Sequence, residues 1–481
     1  MRIMKTKTLV VAWLAAALAA ATLVSQARPQ ASAQLPDTPA AHQFSAWLTA
    51  FNSGDRATLS QFLEKNYPAY RGTIDREMQF RNMTGGFEFV KTEDSTPTRL
   101  SATVKERDSD QFAHIDIEVE PADPHHILRI DARAIARPAD IPLPRMSESD
   151  ALAALRTKLD HDVAADKFSG AVLVAKNDKP VFAEAYGLAD REKKIPNKLD
   201  TRFRIGSMNK MFTATSVLQL AQATKINLSD PLGKYLPDYP NKEIASKVTI
   251  HELLTHTGGT GDIFGPEFDA HRLDLRTLDD YVKLYGTRAP QFAPGSRWEY
   301  SNYGFILLGA IIEKVSGESY YDYVRDHVYK PAGMTSTASE PESEAVAGRS
   351  IGYMKPEGTW TPNTDTLPYR GTSAGGGYST VEDLLRFANA LENHKLFDAH
   401  YTDLLTTGKV DTPMGGKYAY GFEDRVLGGI RCFGHGGGAP GMNGDLQICP
   451  RSGYTIAVLA NMDPPAAQRV SDFILNRLSE K

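Results

Sequence analysis

Phe203–Ala223 reads FRIGSMNKMFTATSVLQLAQA, and the rest of the chain is interpreted outward from it. It holds the only Ser-x-x-Lys of the 481 residues, Ser207-Met208-Asn209-Lys210. Alone the pattern is weak, since about one or two are expected by chance at this length and average composition. Its setting is stronger. Gly206 precedes it, and a strongly apolar helical run begins at Met208. Ser207 is therefore expected at a helix amino terminus, near the positive end of the helix dipole. Lys210 follows about one turn later on the same face. A lysine between apolar neighbours loses proton affinity by desolvation and can accept a serine proton, which an exposed lysine cannot. The rival reading is an N-cap serine followed by a solvent-facing lysine.

A second stretch, APGSRWEYSNYGFILLGAIIEKVSG (Ala293–Gly317), carries Tyr300-Ser301-Asn302. Tyr300 ends a Gly/Pro-containing loop and meets an apolar helix starting near Tyr303, a rigid mount for a reactive group. A phenol beside a cation can act as a general base. Asn302 can offer a donor and an acceptor to a substrate amide or ester. Another Tyr-x-Asn, at Tyr239, contains Pro240 and reads as a plain turn.

A third stretch, RCFGHGGGAPGMNGDLQICP (Arg431–Pro450), carries His435-Gly436-Gly437. Glycines in a strand are costly unless something must approach the backbone. A substrate lying antiparallel along this strand needs such a bare edge, and the Gly438 N–H could pair with the Ser207 N–H as an oxyanion hole. The rival reading is a tight Gly-rich hairpin. The chain's two cysteines, Cys432 and Cys449, flank the turn Pro440-Gly441. A hairpin centred there sets them opposite each other, which leaves a cross-strand disulfide and two buried thiols both open, because register is not determined by sequence.

Composition narrows the classes. Fifty-four Lys+Arg against 59 Asp+Glu, a net charge of −5, argue against an electrostatic nucleic-acid binder. Two cysteines exclude a disulfide-rich scaffold and a cysteine-built metal site. Residues 1–33 read as a secretory signal: Arg2, Lys5 and Lys7, then an apolar run from Leu9 to Val24, then Ala31-Ser32-Ala33. The rival is an uncleaved anchor, but the run falls short of the roughly 20 residues of a full span. No cysteine follows it to take a lipid. The segment holds four basic residues and no acid, so its removal leaves 50 basic against 59 acidic residues, a net −9. The expected product is an exported protein, periplasmic or extracellular, with no membrane contact beyond the signal.

Two zones follow. Residues 34–145 read as a small α+β unit with helices near Ala40–Asn52 and Asp55–Asn66. Four strands are expected near Gly86–Glu93, Arg99–Glu106, Gln111–Glu120 and His126–Ala134. The run FSAWLTAFNSGDRATLSQFLEKNYP (Phe44–Pro68) resembles the opening of the cone-shaped nuclear-transport-factor-like fold. Arg137–Arg145, RPADIPLPR, reads as a linker. Residues 146–481 begin with a helix and a strand pair turning at Asn177-Asp178. A long helical and loop-rich stretch follows, then strands near Tyr418–Arg425, Arg431–Gly437, Gly444–Cys449 and Tyr454–Leu459, and a last helix, Pro465–Leu478. Strands at both ends suggest one sheet closed by the two ends of the zone.

Together the motifs resemble the serine β-lactamase and penicillin-binding protein superfamily, closest to its class C-like branch. Ser-x-x-Lys, Tyr-x-Asn and His-x-Gly occur in order. VTIHELLTHTGG (Val248–Gly259) and AGGGYSTVEDLLRFANAL (Ala374–Leu391) also look like that branch. The resemblance implies an α+β fold, an antiparallel sheet flanked by helices plus a helical subdomain. It further implies Ser207 as nucleophile, Lys210 and Tyr300 as the base pair, an acyl-enzyme, and neither metal nor cofactor. Asn302, His435, Gly437 and Gly438 are the candidate substrate and oxyanion residues. The expected partner is a small-molecule or peptide substrate.

One departure bears on that substrate. His435 stands where the β-lactamases carry a lysine. A histidine with an ordinary pKa near 6.5 is mostly neutral at pH 7, which weakens an anchor for a β-lactam carboxylate. An ester, amide or peptide is therefore expected. A β-lactamase or D-Ala-D-Ala carboxypeptidase is the alternative within the class, and a non-catalytic binding or sensing module the alternative outside it. HELLTH, His251–His256, is a near miss for a zinc-protease helix. Its histidines are five apart, about 140° out of alignment, so Glu252 and His256 read as structural, near the rim of the site.

Overall fold

Helix punctuation explains the first elements. In a computed structural model of the chain, which describes residues 34–413 and 415–479, the Thr38 side chain accepts from the Ala41 N–H and starts α1 (Pro39–Ser53). Gly54, at φ 67°, ends it. The export signal expected over residues 1–33 lies outside the described residues. The Asp55 side chain starts α2 (Arg56–Asn66) in the same way. A third helix, α3 (Ile74–Thr84), was not expected from sequence. It buries only Thr84, so it has no apolar stripe to announce it, and its cap Thr73 is the one local signal.

Four strands follow, β1 (Phe87–Ser95), β2 (Arg99–Glu106), β3 (Phe112–Val119) and β4 (Ile127–Ile135), antiparallel in that order. In β3, Ala113, Ile115, Ile117 and Val119 are buried while Asp116 is exposed, the period-2 pattern of a half-buried strand. The buried side packs on α1, whose Phe44, Trp47 and Phe51 fall at helical spacing. Burying an apolar side chain of this size contributes about 1.5–3 kcal/mol.

The second zone opens with α4 (Glu148–Ala164), capped by Ser147. The hairpin of β5 (Gly170–Lys176) and β6 (Lys179–Tyr186) turns at Asn177 and Asp178, at φ 48° and 66°, the conformation of a two-residue type I′ turn. β5 pairs with the strand Tyr454–Ala460, Val172 against Val458 and Val174 against Ile456. The two ends of the zone thus close one antiparallel sheet of eight strands. One face carries α4 and the helix Ala466–Arg477, through Leu155, Leu159, Val470 and Ile474. The other carries the helical layer around α5 (Asn209–Gln222), through Phe212, Leu446 and Leu459. α5 is buried nearly all round, from Asn209 to Leu218 without a break, as expected of a central helix.

Near the sheet's far edge the expected strand Tyr418–Arg425 is two pieces, Lys417–Tyr418 and Glu423–Leu427. Gly421, at φ 68°, turns the backbone between them because the Lys210 carbonyl comes close: a Cβ on Gly421 would lie 2.6 Å from that oxygen. The first unit docks on the terminal helix, Glu106 with Arg469 at 2.8 Å and Asp110 with Arg477 at 2.7 Å.

Candidate active site

Ser207 sits in a short 3-10 turn, Gly206–Met208, that leads into α5. No side chain caps either helix start, so the serine hydroxyl is not spent on an N-cap. Gly206 is left-handed at φ 52°, and a Cβ there would stand 3.0 Å from the Gly438 nitrogen. Only glycine satisfies both the conformation and the space. One turn on, Lys210 has no solvent exposure at all. The solvent-facing reading of this lysine is excluded.

Lys210 Nζ contacts three oxygens: Ser207 Oγ at 3.2 Å, Asn302 Oδ1 at 2.7 Å and the Ala374 carbonyl at 2.5 Å. Burial pushes its pKa down from 10.5 to about 7, against the opposing charge of Asp262. A neutral amine has two N–H bonds and one lone pair. Asn302 Oδ1 and the Ala374 carbonyl can only accept, so they take the two N–H bonds. The lone pair is left for the Ser207 hydroxyl. Asn302 cannot turn round, because its Nδ2 donates to both oxygens of Asp262, at 2.9 and 3.2 Å. Asn302, a candidate substrate residue, thus also joins Lys210 to Asp262.

Tyr300 lies across this lysine, with Nζ 4.7 Å from its ring centre, and its phenol is within hydrogen-bonding reach of Ser207. Burial pushes that phenol well above the ordinary 10, only partly offset by the Ser207 contact. A standing phenolate is therefore disfavoured, and of the expected base pair Lys210 is the member that loses its proton easily. His256 backs the Tyr300 ring at a centroid distance of 4.3 Å. It was expected near the rim but is 1% exposed. Its Nδ1 accepts from the Ser301 N–H at 3.1 Å, so it locates the start of the helix Asn302–Ser316. Glu252 is structural, forming a capping box with Thr249.

His435 is 3% exposed. Its Nδ1 lies on the Gly436 carbonyl at 2.5 Å and its Nε2 on the Tyr418 hydroxyl at 3.0 Å. The carbonyl can only accept, so Nδ1 carries the proton and Tyr418 donates to Nε2. Burial, with Lys210 second, pushes the ring's pKa down to about 3. His435 is thus a neutral side chain with no nitrogen left for a substrate. The sequence marks it as a candidate substrate residue; here both ring nitrogens are engaged within the protein.

The strand Ile430–Ala439 pairs with Glu423–Leu427 only as far as Gly434. Among the described residues no strand pairs with the edge from His435 to Ala439 on that side. Its glycines are explained by close approach: a Cβ on Gly437 would lie 1.9 Å from the Ile205 carbonyl. The same approach brings Gly438 beside the Gly206-Ser207 turn. The hairpin turns at Pro440-Gly441, with Gly441 at φ 70°. Cys432 and Cys449 are bridged across it, with their Cα atoms 4.2 Å apart. The site therefore combines a hydroxyl, a buried amine, a partly buried phenol and an open backbone edge. Among the described residues no group of His, Cys, Asp or Glu is arranged to hold a metal.

The family model described as Beta-lactamase matches residues 155–481. The chain belongs to the β-lactamase family. Within this family it is 34% identical over 295 residues to a putative penicillin-binding protein, PbpX, of Bacillus subtilis, covering 61% of this chain and 70% of that one. A solved penicillin-binding protein from Bacillus halodurans superposes with a TM-score of 0.59 at 35% identity, over 65% of this chain and 97% of that one. A D-stereospecific amidohydrolase from Streptomyces sp. does so at 0.57 and 28%, over 68% and 98%. The fold is the α+β fold of these β-lactamase-family proteins. The first unit, residues 34–145, lies outside the family match.

Asp262 was missed by sequence reading. Nothing local marks it: it stands in the loop after HELLTHTGG, and only the fold brings it to Asn302.

Proposed function

We propose that this β-lactamase-family protein is a serine hydrolase that cleaves an ester, amide or peptide bond through an acyl-enzyme on Ser207. The observation that carries this reading is the placement of Lys210: its buried Nζ lies 3.2 Å from Ser207 Oγ and on two acceptor oxygens, so that in its neutral form it offers the serine a lone pair. In acylation the Ser207 proton passes to Nζ as Oγ bonds to the carbonyl carbon. The N–H groups of Ser207 and Gly438 hold the oxyanion. The leaving group departs with a proton from Lys210, relayed by the Tyr300 phenol. Water then adds to the acyl carbon, giving its proton to Lys210; the bond to Ser207 Oγ breaks, Oγ takes that proton back, and the acid product leaves. The test is Ser207→Ala against a chromogenic ester and a fluorophosphonate. Turnover or labelling equal to the parent's would sink the assignment.

The relatives' names favour a second reading, a D-Ala-D-Ala carboxypeptidase or β-lactamase. Both substrates end in a carboxylate, and the neutral, fully engaged His435 argues against an anchor for one. A chromogenic cephalosporin hydrolysed much faster than a short-chain ester would reverse that preference. Covalent labelling at Ser207 also separates an enzyme from a binding module on the same frame.

We infer that the protein works outside the cytoplasm. The basic start, the apolar run and Ala31-Ser32-Ala33 support this, as does the Cys432–Cys449 bridge. A mature amino terminus at Gln34, read by mass spectrometry, is expected. An intact Met1 in the folded protein would count against it.

A further inference from the structure

Three consecutive carbonyls are received by one helix. The Thr372 carbonyl accepts from Asn209 Nδ2 at 2.6 Å, the Ser373 carbonyl from Thr213 Oγ1 at 2.7 Å and the Ala374 carbonyl from Lys210 Nζ at 2.5 Å. All three donors stand on α5, with Asn209 and Thr213 four positions apart on one face and Lys210 next to Asn209. The segment Thr372–Ala374 is therefore a strap laid across the helix that carries the base. Its far side is closed too, since the Ser373 side chain leaves no room for a Cβ on Gly309 of the helix Asn302–Ser316. Beyond Ala374 the strap continues to the serine turn, where the Gly376 N–H donates to the Gly206 carbonyl at 3.1 Å.

Each proton in this arrangement is assigned by its neighbours. The Ser373 carbonyl can only accept, so it takes the Thr213 hydroxyl proton. The other acceptor within reach of that hydroxyl, the Asn209 carbonyl, is farther, at 3.4 Å. Thr213 Oγ1 then accepts from the Tyr320 hydroxyl, 2.7 Å away. Tyr320 in turn accepts from the second N–H of Asn209, at 3.0 Å. Asn209, Thr213, Tyr320 and Ser373 are each at most 3% exposed, so removing one member leaves its partner unpaired away from water.

We infer that Asn209, Thr213 and Tyr320 are positioning residues that hold the Ala374 carbonyl on Lys210 and so keep the base aimed at Ser207. The inference rests on the acyl-enzyme reading above. The Ala374 carbonyl takes one N–H of the neutral amine, as Asn302 Oδ1 takes the other. With the carbonyl displaced, that N–H is free to turn toward Ser207 in place of the lone pair. A carbonyl on Nζ also favours the ammonium form, so its withdrawal lowers the proton affinity of the lysine further.

The experiment records kcat and KM for p-nitrophenyl acetate against pH in the full-length parent, Thr213→Val, Thr213→Ser, Tyr320→Phe and Lys210→Met, with thermal unfolding of each. Thr213→Val keeps the shape of the side chain and removes its hydroxyl. Weakening one hydrogen bond to a charged group moves a pKa by about half a unit to one unit. The acid limb of kcat/KM reports the free enzyme and is expected near pH 7 in the parent. Thr213→Val is expected to move it down by that amount and to lower the plateau kcat by roughly tenfold or more, with KM little changed. Thr213→Ser, which keeps the hydroxyl, is expected to restore the parental limb. Tyr320→Phe, which removes only the hydroxyl between Asn209 and Thr213, is expected to move the limb in the same direction as Thr213→Val. A merely structural role would lower the unfolding temperature and leave the limb of the folded protein in place, which overturns the inference. An upward shift, or an equal shift in Thr213→Ser, overturns it as well. Should Thr213→Val fail to fold, Tyr320→Phe decides, and an unmoved limb there overturns the inference. A limb that persists in Lys210→Met defeats Lys210 as the base. A limb lost in Lys210→Met but unmoved in Thr213→Val and Tyr320→Phe defeats the positioning alone, so the two failures are distinguishable.

Discussion

Lys210 Nζ and Asn302 Oδ1 are 2.7 Å apart, and the amide's other end is tied to Asp262. In the proposed mechanism this pair sets the state of the base. A freely turning amide could offer the lysine either a donor or an acceptor. Anchored by Asp262, it can only accept, so it consumes one N–H of a neutral amine and helps aim the lone pair at Ser207.

Removing the amine should therefore remove the base. Lys210→Met keeps the buried volume and loses the proton acceptor. We expect kcat/KM to fall about 10²- to 10⁴-fold, the usual worth of general acid–base catalysis. Thermal unfolding should show the variant folded, and a loss below tenfold would speak against Lys210 as the base.

The pH profile should carry the same signature. Lys210 is active when neutral, and its folded pKa is lowered from 10.5 to about 7. Activity is therefore expected to rise with pH through about 7 and to flatten above it. His435, held down to about 3, is neutral on both sides of that limb and does not contribute. A limb near 7 that survives in Lys210→Met but vanishes in His435→Gln would contradict the assignment.

Tyr300 should matter in proportion to the leaving group. Burial keeps its phenol protonated at neutral pH, so its work is to relay a proton to a departing amine. p-Nitrophenolate needs no such proton. Tyr300→Phe is expected to cost about 10²- to 10⁴-fold on an anilide or amide and roughly tenfold or less on a p-nitrophenyl ester. Equal losses on both would argue against the relay.

The bridge between Cys432 and Cys449 ties the strand that bears His435 and Gly438 to its neighbour. A loop of this size stabilises by about 3 kcal/mol in the chain-entropy picture. Reduction should lower the denaturant midpoint accordingly, and thiol titration of denatured, unreduced protein should find none free.

Much of this was legible in the sequence because it depended on spacing. Ser207 and Lys210 are one turn apart in any helix, and the apolar run from Met208 could hardly form anything else. The β5–β6 turn at Asn177-Asp178 and the hairpin at Pro440-Gly441 were carried by turn chemistry. What was not legible depended on residues distant in the chain. Asp262 reaches Asn302 across 40 positions. His256 sits under Tyr300 rather than at the rim because a loop folds back over it, a matter of packing that no local pattern encodes. The break between Tyr418 and Glu423 follows from the approach of α5, and α3 has no apolar face to betray it.

The central claim is the nucleophile. Intact-mass analysis after fluorophosphonate treatment tests it most directly. The account predicts one adduct per chain, mapped to Ser207, and none in a folded Ser207→Ala variant. An adduct on another residue, or an undiminished adduct in that variant, would contradict it.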